Sequence, residues 1–287
     1  QIIRKTGSQP TGPHDGELVV SSSVRDQYAT TGFVDDGLTN DTLYYYAAFA
    51  YNTDGVASEG AFTSATPMAG TPLSELAEGT LIKILENGAP VEFYLAKHNY
   101  EPDLNGQGRE LVVRKDVYTN GVWKNDTYAG NYGGSTILNW NKTTYFNLFS
   151  SGVKEMIATT KFYYESSGVT ESPVFNLSLT ELGISTYYAL DEGSQISIAP
   201  TIRASSSDYW SRTKSKYAQS MYYVFGINAN GTLHITGVGD EYGRPTGTSC
   251  GSDLGYRPCF TLPSTALVDQ DLNLIETAVQ TTSLSAA

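Results

Sequence analysis

Apolar and polar residues alternate in short runs along most of this chain, and Gly, Pro, Asn and Asp close nearly every run. In the first quarter the runs are Ile2-Ile3-Arg4, Glu17 to Val20, Tyr28 to Phe33, Tyr44 to Tyr51 and Gly60 to Ala65. Turn-forming stretches such as Gln9-Pro10-Thr11-Gly12-Pro13 and Asn52-Thr53-Asp54-Gly55 separate them. Short strands at regular spacing predict a β-sandwich. Further on, Leu81 to Leu85 and Ala89 to Leu95 flank Asn87-Gly88, the pair that favours a two-residue hairpin turn. Tyr222 to Ile227 and Gly231 to Ile235 form a second such pattern, turning at Asn228 to Gly231 and placing alternate tyrosines on the surface.

Helical spacing is confined to the middle of the chain. Ile137, Leu138, Tyr145, Leu148 and Phe149 predict a helix over 135–149, and a shorter one follows over Ser150 to Ile157. Phe175 to Gly183 reads as a strand entering one helical turn, with Ser178 as N-cap, Glu181 closing a capping box and Gly183 as the stop. The predicted class is therefore mainly β with a few short helices (α+β).

Composition sharpens this picture. The 287 residues suffice for two domains with their own cores. We expect a module over 1–67, a stiff linker over 68–77 containing Pro72, a second domain over 78–270, and a flexible Thr/Ser/Ala-rich tail over 271–287. With Gln1 in place of Met, a processed or partial chain is expected. A net charge of −12 excludes nucleic acid and anionic lipid as main partners, because phosphate binding needs a Lys/Arg surplus. No apolar run is long enough for a membrane helix. The two cysteines, Cys250 and Cys259, are too few for a disulfide framework; two free thiols flanking a loop are expected, with a single bridge across their nine-residue spacing as the alternative.

The last third carries the most information. Tyr209-Trp210-Ser211-Arg212 and Gly255-Tyr256-Arg257-Pro258 bracket a segment rich in Ser, Tyr, Gly, Lys and Asp. Binding surfaces use that composition, since Tyr gives rigid contact area while Ser and Gly give adaptable hydrogen bonding. Trp210, Arg212 and Arg257 read as structural anchors: a core indole and two guanidinium groups that fix loop backbone through several donors at once. The candidate ligand contacts are Tyr209, Lys214, Lys216, Tyr217, Asp240, Tyr242, Arg244 and Tyr256. The strongest loop candidate is Gly239 to Ser249, which carries charge and an aromatic without apolar periodicity.

Two resemblances follow from these residues. Leu38 to Ala47, with Tyr44 at the corner position, resembles the tyrosine-corner region of fibronectin type III domains, which implies a partial sandwich whose first strands are missing. Gly88 to Phe93, Ser135 to Trp140, Val174 to Leu179 and the Trp210/Arg257 ending together resemble a domain family of unknown function. That family is frequent in phage tail proteins and in surface proteins of Gram-positive bacteria. Its ending is similar to the C-type-lectin-like scaffold that retroelement-diversified receptor-binding proteins also use. Here Trp-Ser-Arg-Thr replaces the family's W-L-R-S, and Pro258-Cys259-Phe260 replaces its P-A-x.

The resemblance implies a phage virion or tail-associated adhesin, displayed in many copies or as a homo-oligomer. It would recognise a bacterial surface glycan or protein without covalent chemistry, on the virion surface or alternatively the bacterial cell surface. A structural decoration or tail-scaffold module packing on other virion proteins is the alternative. A third reading is an enzyme similar to formylglycine-generating oxidases, for which Cys250 and Cys259 would be the reactive pair. We expect no catalytic residues, cofactor or metal. The histidines His14, His98 and His234 lack ligand spacing, the carboxylate pairs Asp35-Asp36, Asp191-Glu192 and Asp240-Glu241 sit in Gly-flanked turns, and no EF-hand spacing occurs.

Overall fold

The computed structural model describes residues 1–24, 27, 28, 32–67, 70–125, 131–165, 168–216, 223–235 and 240–276. They form a mainly β protein with few short helices, divided between residues 1–69 and 70–278 into two compact units.

In the first unit, β1 (Ile2–Thr6), β2 (Glu17–Val20), β3 (Tyr44–Ala48) and β4 (Ala61–Ala65) form an antiparallel sheet in the order β2-β1-β3-β4. Ile3 lies opposite both Leu18 and Ala47, and Ala47 lies opposite Phe62. One face therefore collects the apolar side chains, but among the described residues of this unit only Ile3, Ala47 and Phe49 form a buried cluster. Leu18, Val34 and Val56 remain more than half exposed. On the corner side, the Thr39 amide donates to the Tyr44 hydroxyl at 3.1 Å. Arg4 and the Tyr46 hydroxyl both donate to Asp35, at 2.7 and 2.8 Å. Of the strand expected over Tyr28 to Phe33, residues 29–31 lie outside the described residues, and Gly32 and Phe33 are irregular.

The second unit opens with β5 (Thr71–Pro72), then the hairpin β6 (Leu81–Glu86) and β7 (Ala89–Lys97), α1 (Pro102–Asn105), β8 (Arg109–Arg114) and β9 (Thr119–Val122). Next come α2 (Thr136–Trp140), α3 (Ser151–Met156), the hairpin β10 (Thr160–Tyr164) and β11 (Gly168–Ser172), and α4 (Ala199–Ile202). The chain continues through β12 (Tyr209–Lys214), β13 (Tyr223–Ile227), β14 (Leu233–His234), β15 (Thr248–Ser249), β16 (Asp253–Tyr256), β17 (Cys259–Pro263) and β18 (Leu267–Val268). Among the described residues one sheet runs β17-β8-β7-β6, and another runs β14-β13-β12-β16-β9 with β15 on β13. Two apolar clusters fill the unit. One is built around Trp123, Phe162, Phe175 and Trp210, the other around Phe93, Phe149 and Phe260, and Trp140 packs against both.

Several elements follow directly from local chemistry. Asn87 and Gly88 adopt φ of 51° and 77° and close the β6–β7 turn with Glu86 opposite Ala89, the backbone that the Asn-Gly pair favours. Ser135 caps α2 through the Leu138 amide at 3.2 Å, and Ser150 caps α3 through the Val153 amide at 3.2 Å. The helix expected over 135–149 is continuous but not uniform. After α2 it widens into a π turn over Asn141–Tyr145 and tightens into a 3-10 turn over Phe146–Leu148. That change of pitch brings Tyr145 and Phe149 into the second cluster.

Two boundaries differ from the sequence reading. The stretch expected as a linker over 68–77 is largely part of the second unit: Thr71 and Pro72 pair with Val268 and Leu267, and Leu73 is fully buried. The tail expected from 271 is packed through residue 276. The Leu274 amide donates to the Lys83 carbonyl at 2.7 Å and Ile275 to that of Leu267 at 2.8 Å. Both segments are short, so their few apolar residues give no periodicity, yet each completes a sheet edge. Residues 277–287 lie outside the described residues.

Candidate binding face

The two motifs that bracket the polar segment meet in space. β12 and β16 are parallel neighbours, with Tyr209 opposite Gly255. Gly255 is required by this approach, because a Cβ there would lie 2.5 Å from a Val117 methyl and 2.7 Å from the Asp208 carbonyl oxygen. Trp210 is buried and its indole NH donates to the Gly121 carbonyl at 2.8 Å, while Trp123 from the neighbouring segment donates to that of Ser211 at 3.1 Å.

Arg212 is fully buried, and each of its donors is used. Nε donates to the Tyr163 carbonyl at 2.9 Å, and Nη1 to the Asn176 carbonyl at 2.9 Å. Nη1 and Nη2 grip both oxygens of buried Glu181 at 2.6 and 2.9 Å, and Nη2 also reaches the Glu192 carbonyl at 3.4 Å. Burial alone would lower the guanidinium pKa, but Glu181 beside it raises it well above the usual value. The same Glu181 completes the capping box. The Ser178 amide donates to its Oε2 at 2.8 Å, and the Glu181 amide donates to Ser178 Oγ at 3.1 Å. Tyr100 and Thr213 extend the network, donating to Glu181 at 2.5 Å and to Glu192 at 2.6 Å. Arg257, also buried, donates to the carbonyls of Arg114 and Ile202 at 2.8 and 2.6 Å and lies over the Tyr209 ring. Arg212 thus ties the loop carbonyls of Asn176 and Glu192 to that of Tyr163 in β10, while Arg257 ties the end of β8 to the end of α4.

The expected ligand contacts separate into two groups. Tyr209 and Tyr256 face the interior and are not available to a ligand. The Tyr209 hydroxyl donates to the Arg203 carbonyl at 2.8 Å, and that of Tyr256 to Val122 at 2.5 Å. Burial pushes the Tyr256 hydroxyl up to about 12. Their positions on strands beside the anchors turn them into the core, which composition alone does not reveal. Lys214 lies 3.8 Å from Glu165, Lys216 is exposed, and Tyr217 lies outside the described residues.

Asp240, Tyr242 and Arg244 do come together. Asp240 Oδ1 accepts the amides of Tyr242 and Arg244 at 3.0 and 2.8 Å. Oδ2 accepts Arg244 Nε at 2.5 Å and the Tyr188 hydroxyl at 2.7 Å. Burial would raise the Asp240 carboxyl, but the hydrogen bonds from Arg244, Tyr188 and Tyr242 outweigh it and hold the group well below the usual carboxylate range. The Arg244 guanidinium lies 4.0 Å from the Tyr187 ring centroid and 4.7 Å from that of Tyr242. Tyr187 is 61% exposed and Tyr242 73%, so two aromatic faces project from a pinned ionic base.

Tyr187 and Tyr188 were not among the sequence candidates because they precede the bracketed segment. Their context, Ser185-Thr186-Tyr187-Tyr188, has the same Ser/Tyr composition and is the signal that would have found them. The main chain ties the two stretches together, with the Lys216 amide donating to the Tyr188 carbonyl at 2.9 Å.

The remaining reactive groups are engaged in packing. Cys250 and Cys259 are buried and unbridged. The Cys259 thiol donates to the Phe175 carbonyl at 3.3 Å, and burial pushes it well above the ordinary thiol range. Among the described residues no group of three or more His, Cys, Asp or Glu side chains is disposed to hold a metal ion, and no helix is long and apolar enough to cross a membrane.

Comparison with curated proteins and with solved structures gives no match. The sequence profile of the domain of unknown function DUF6273 matches residues 107–264, which include the anchors, the Arg212–Glu181 network and the tyrosine–arginine cluster, and cover more than half of the chain; the chain belongs to that family.

Proposed function

We propose that this protein is a phage virion or tail-associated adhesin that recognises a bacterial cell-surface glycan or protein by non-covalent binding. The second unit is read as a C-type-lectin-like domain presenting the binding face, and the first as a partial fibronectin type III-like spacer. The observation that carries the reading is the outward-facing Tyr187–Arg244–Tyr242 stack, held from below by Asp240. Rigid aromatic faces on a fixed base give contact area at little entropic cost, which is what recognition without catalysis requires. The Thr39–Tyr44 hydrogen bond supports the spacer assignment, since a corner tyrosine bonds backbone a few residues upstream. Single-site binding on so small a face is weak, and multi-copy display converts it into avidity.

The alternative, a structural module packing on other virion proteins, is favoured by a different observation: the exposed Leu18, Val34 and Val56 of the first unit. The two readings predict opposite phenotypes. Replacing Tyr242 and Arg244 by Ala is expected to abolish adsorption to host cells while particle assembly is unchanged. Normal adsorption with failed assembly would leave the scaffold reading standing instead.

A further inference from the structure

The loop that carries Tyr187 also forms a wall of an open cleft of about 440 Å³. Ile184 and Ser185 line one side, Pro200 and Arg203 at the end of α4 line another, and Asn230 and Leu233 of the β13–β14 turn close it. The frame is fixed by the main chain. The Arg203 carbonyl accepts the Tyr209 hydroxyl at 2.8 Å, and the Ser205 amide donates to the Ala229 carbonyl at 3.0 Å.

The polar groups of the cleft are biased toward donation. Asn230 Oδ1 is already occupied by the amide and hydroxyl of Thr232 at 3.0 and 2.6 Å, which leaves the NH2 donors unused. The Arg203 guanidinium and the Ser185 hydroxyl have no hydrogen-bond or ion-pair partner among the described residues. Among the described residues no carboxylate lines the cleft, although the chain carries a net charge of −12. The Arg244 charge on the neighbouring face is by contrast neutralised by Asp240. A cation without a counter-ion among the described residues, beside the apolar walls of Ile184, Pro200 and Leu233, is suited to an oxyanion, carboxylate or phosphate, held in bidentate fashion. Ser185, which lines the cleft, and Tyr187, which belongs to the aromatic face, are two residues apart, so their Cα atoms lie within about 7 Å of each other.

We infer that the cleft takes the oxyanion of an acidic saccharide, a carboxylate or phosphate on the sugar, whose ring lies on Tyr187 and Tyr242. The inference rests on the binding-face reading above and adds the charge class of the ligand. Because the whole chain is acidic, attraction of such a ligand is local to Arg203 and weakens as salt screens it.

The test measures binding of the full chain to three immobilised probes: an oligogalacturonate, the same oligosaccharide with its carboxylates reduced to alcohols, and a sugar phosphate. Wild-type protein is expected to bind at least one charged probe about tenfold or more tightly than the neutral one, the scale of a charge-assisted hydrogen-bonded contact. Preference for the first or the third probe identifies carboxylate or phosphate as the source. Arg203→Gln is expected to reduce the charged probe to the neutral level without changing neutral binding or the thermal unfolding midpoint. Tyr242→Ala weakens all probes alike. Equal binding of charged and neutral probes by the wild type, or an undiminished charge preference in Arg203→Gln, overturns the inference and leaves the binding face in place. Binding to none of the probes counts against the glycan form of that reading and removes the inference with it.

Discussion

The Arg212–Glu181 and Arg244–Asp240 pairs show how one kind of contact serves two ends. Arg212 is buried with every donor engaged, so its removal strands Glu181 as an uncompensated interior charge. Arg212→Met is expected to destabilise the second unit by about 3–5 kcal/mol, measured by urea unfolding. Arg212→Met combined with Glu181→Leu should recover part of that loss; an equal or larger loss in the double variant would show that the carbonyl contacts, not the ion pair, dominate. Asp240 holds the surface cluster instead, and its folded pKa is depressed. Its contribution is therefore fully present above the unfolded value of about 3.9 and is lost only as pH falls through the lower folded value. The Tyr242 amide resonance should stay constant from neutral pH down to about pH 4, and a titration midpoint above that would contradict the observed bonds.

At the scale of elements, the short structures are held by their ends. The turn over Ser178–Gly183 has a reciprocal capping box, and Ser178 Oγ also donates to the Glu192 carbonyl at 2.7 Å. Ser178→Ala removes both bonds in a buried setting and is expected to cost about 2 kcal/mol, the upper end of the capping range, read from the urea midpoint. A cost near zero would mean that the Glu181 carboxylate alone holds the turn. The segments that carry Tyr187 and Tyr242 are held differently. Neither Tyr187 nor Tyr242 lies in a strand, and their segments are joined at Asp240, which accepts the Tyr188 hydroxyl from fifty-two residues away and the Tyr242 amide from two residues away. Loop positions on a rigid scaffold are where recognition groups concentrate.

At the scale of the whole molecule the two units differ in how much they bury. Among the described residues the second has two extended apolar clusters, whereas the first has three buried apolar residues and several exposed ones. A fragment of residues 70–276 is thus expected to unfold cooperatively in urea, while residues 1–69 alone give no cooperative transition, since so small a core does not offset the chain entropy. A sharp transition in the short fragment would show that its hydrogen-bonded sheet and ion pairs suffice. The acidic balance of the chain belongs to this scale too: a net charge of −12 sets a negative mean field over the molecule.

By itself the sequence determined what depends on neighbours along the chain. The Asn87-Gly88 hairpin, the Ser178/Glu181 capping box, the Ser135 and Ser150 helix starts and the mainly β class all rest on backbone preferences within a few residues. The inward orientation of Trp210, Arg212 and Arg257 was also legible, because a large ring or a multi-donor cation between polar loops gains most by pinning backbone. Tertiary structure alone decided which tyrosines face out. Tyr209 and Tyr256 share their composition with Tyr187 and Tyr242, but strand pairing of β12 with β16 turns the first two into the core. It also decided that Thr71 to Leu73 and Leu274 belong to the second unit, since a sheet edge formed from distant segments leaves no local pattern. Contacts fixed by chain proximity are written in order along the sequence, while those fixed by burial exist only once the remote partners have met.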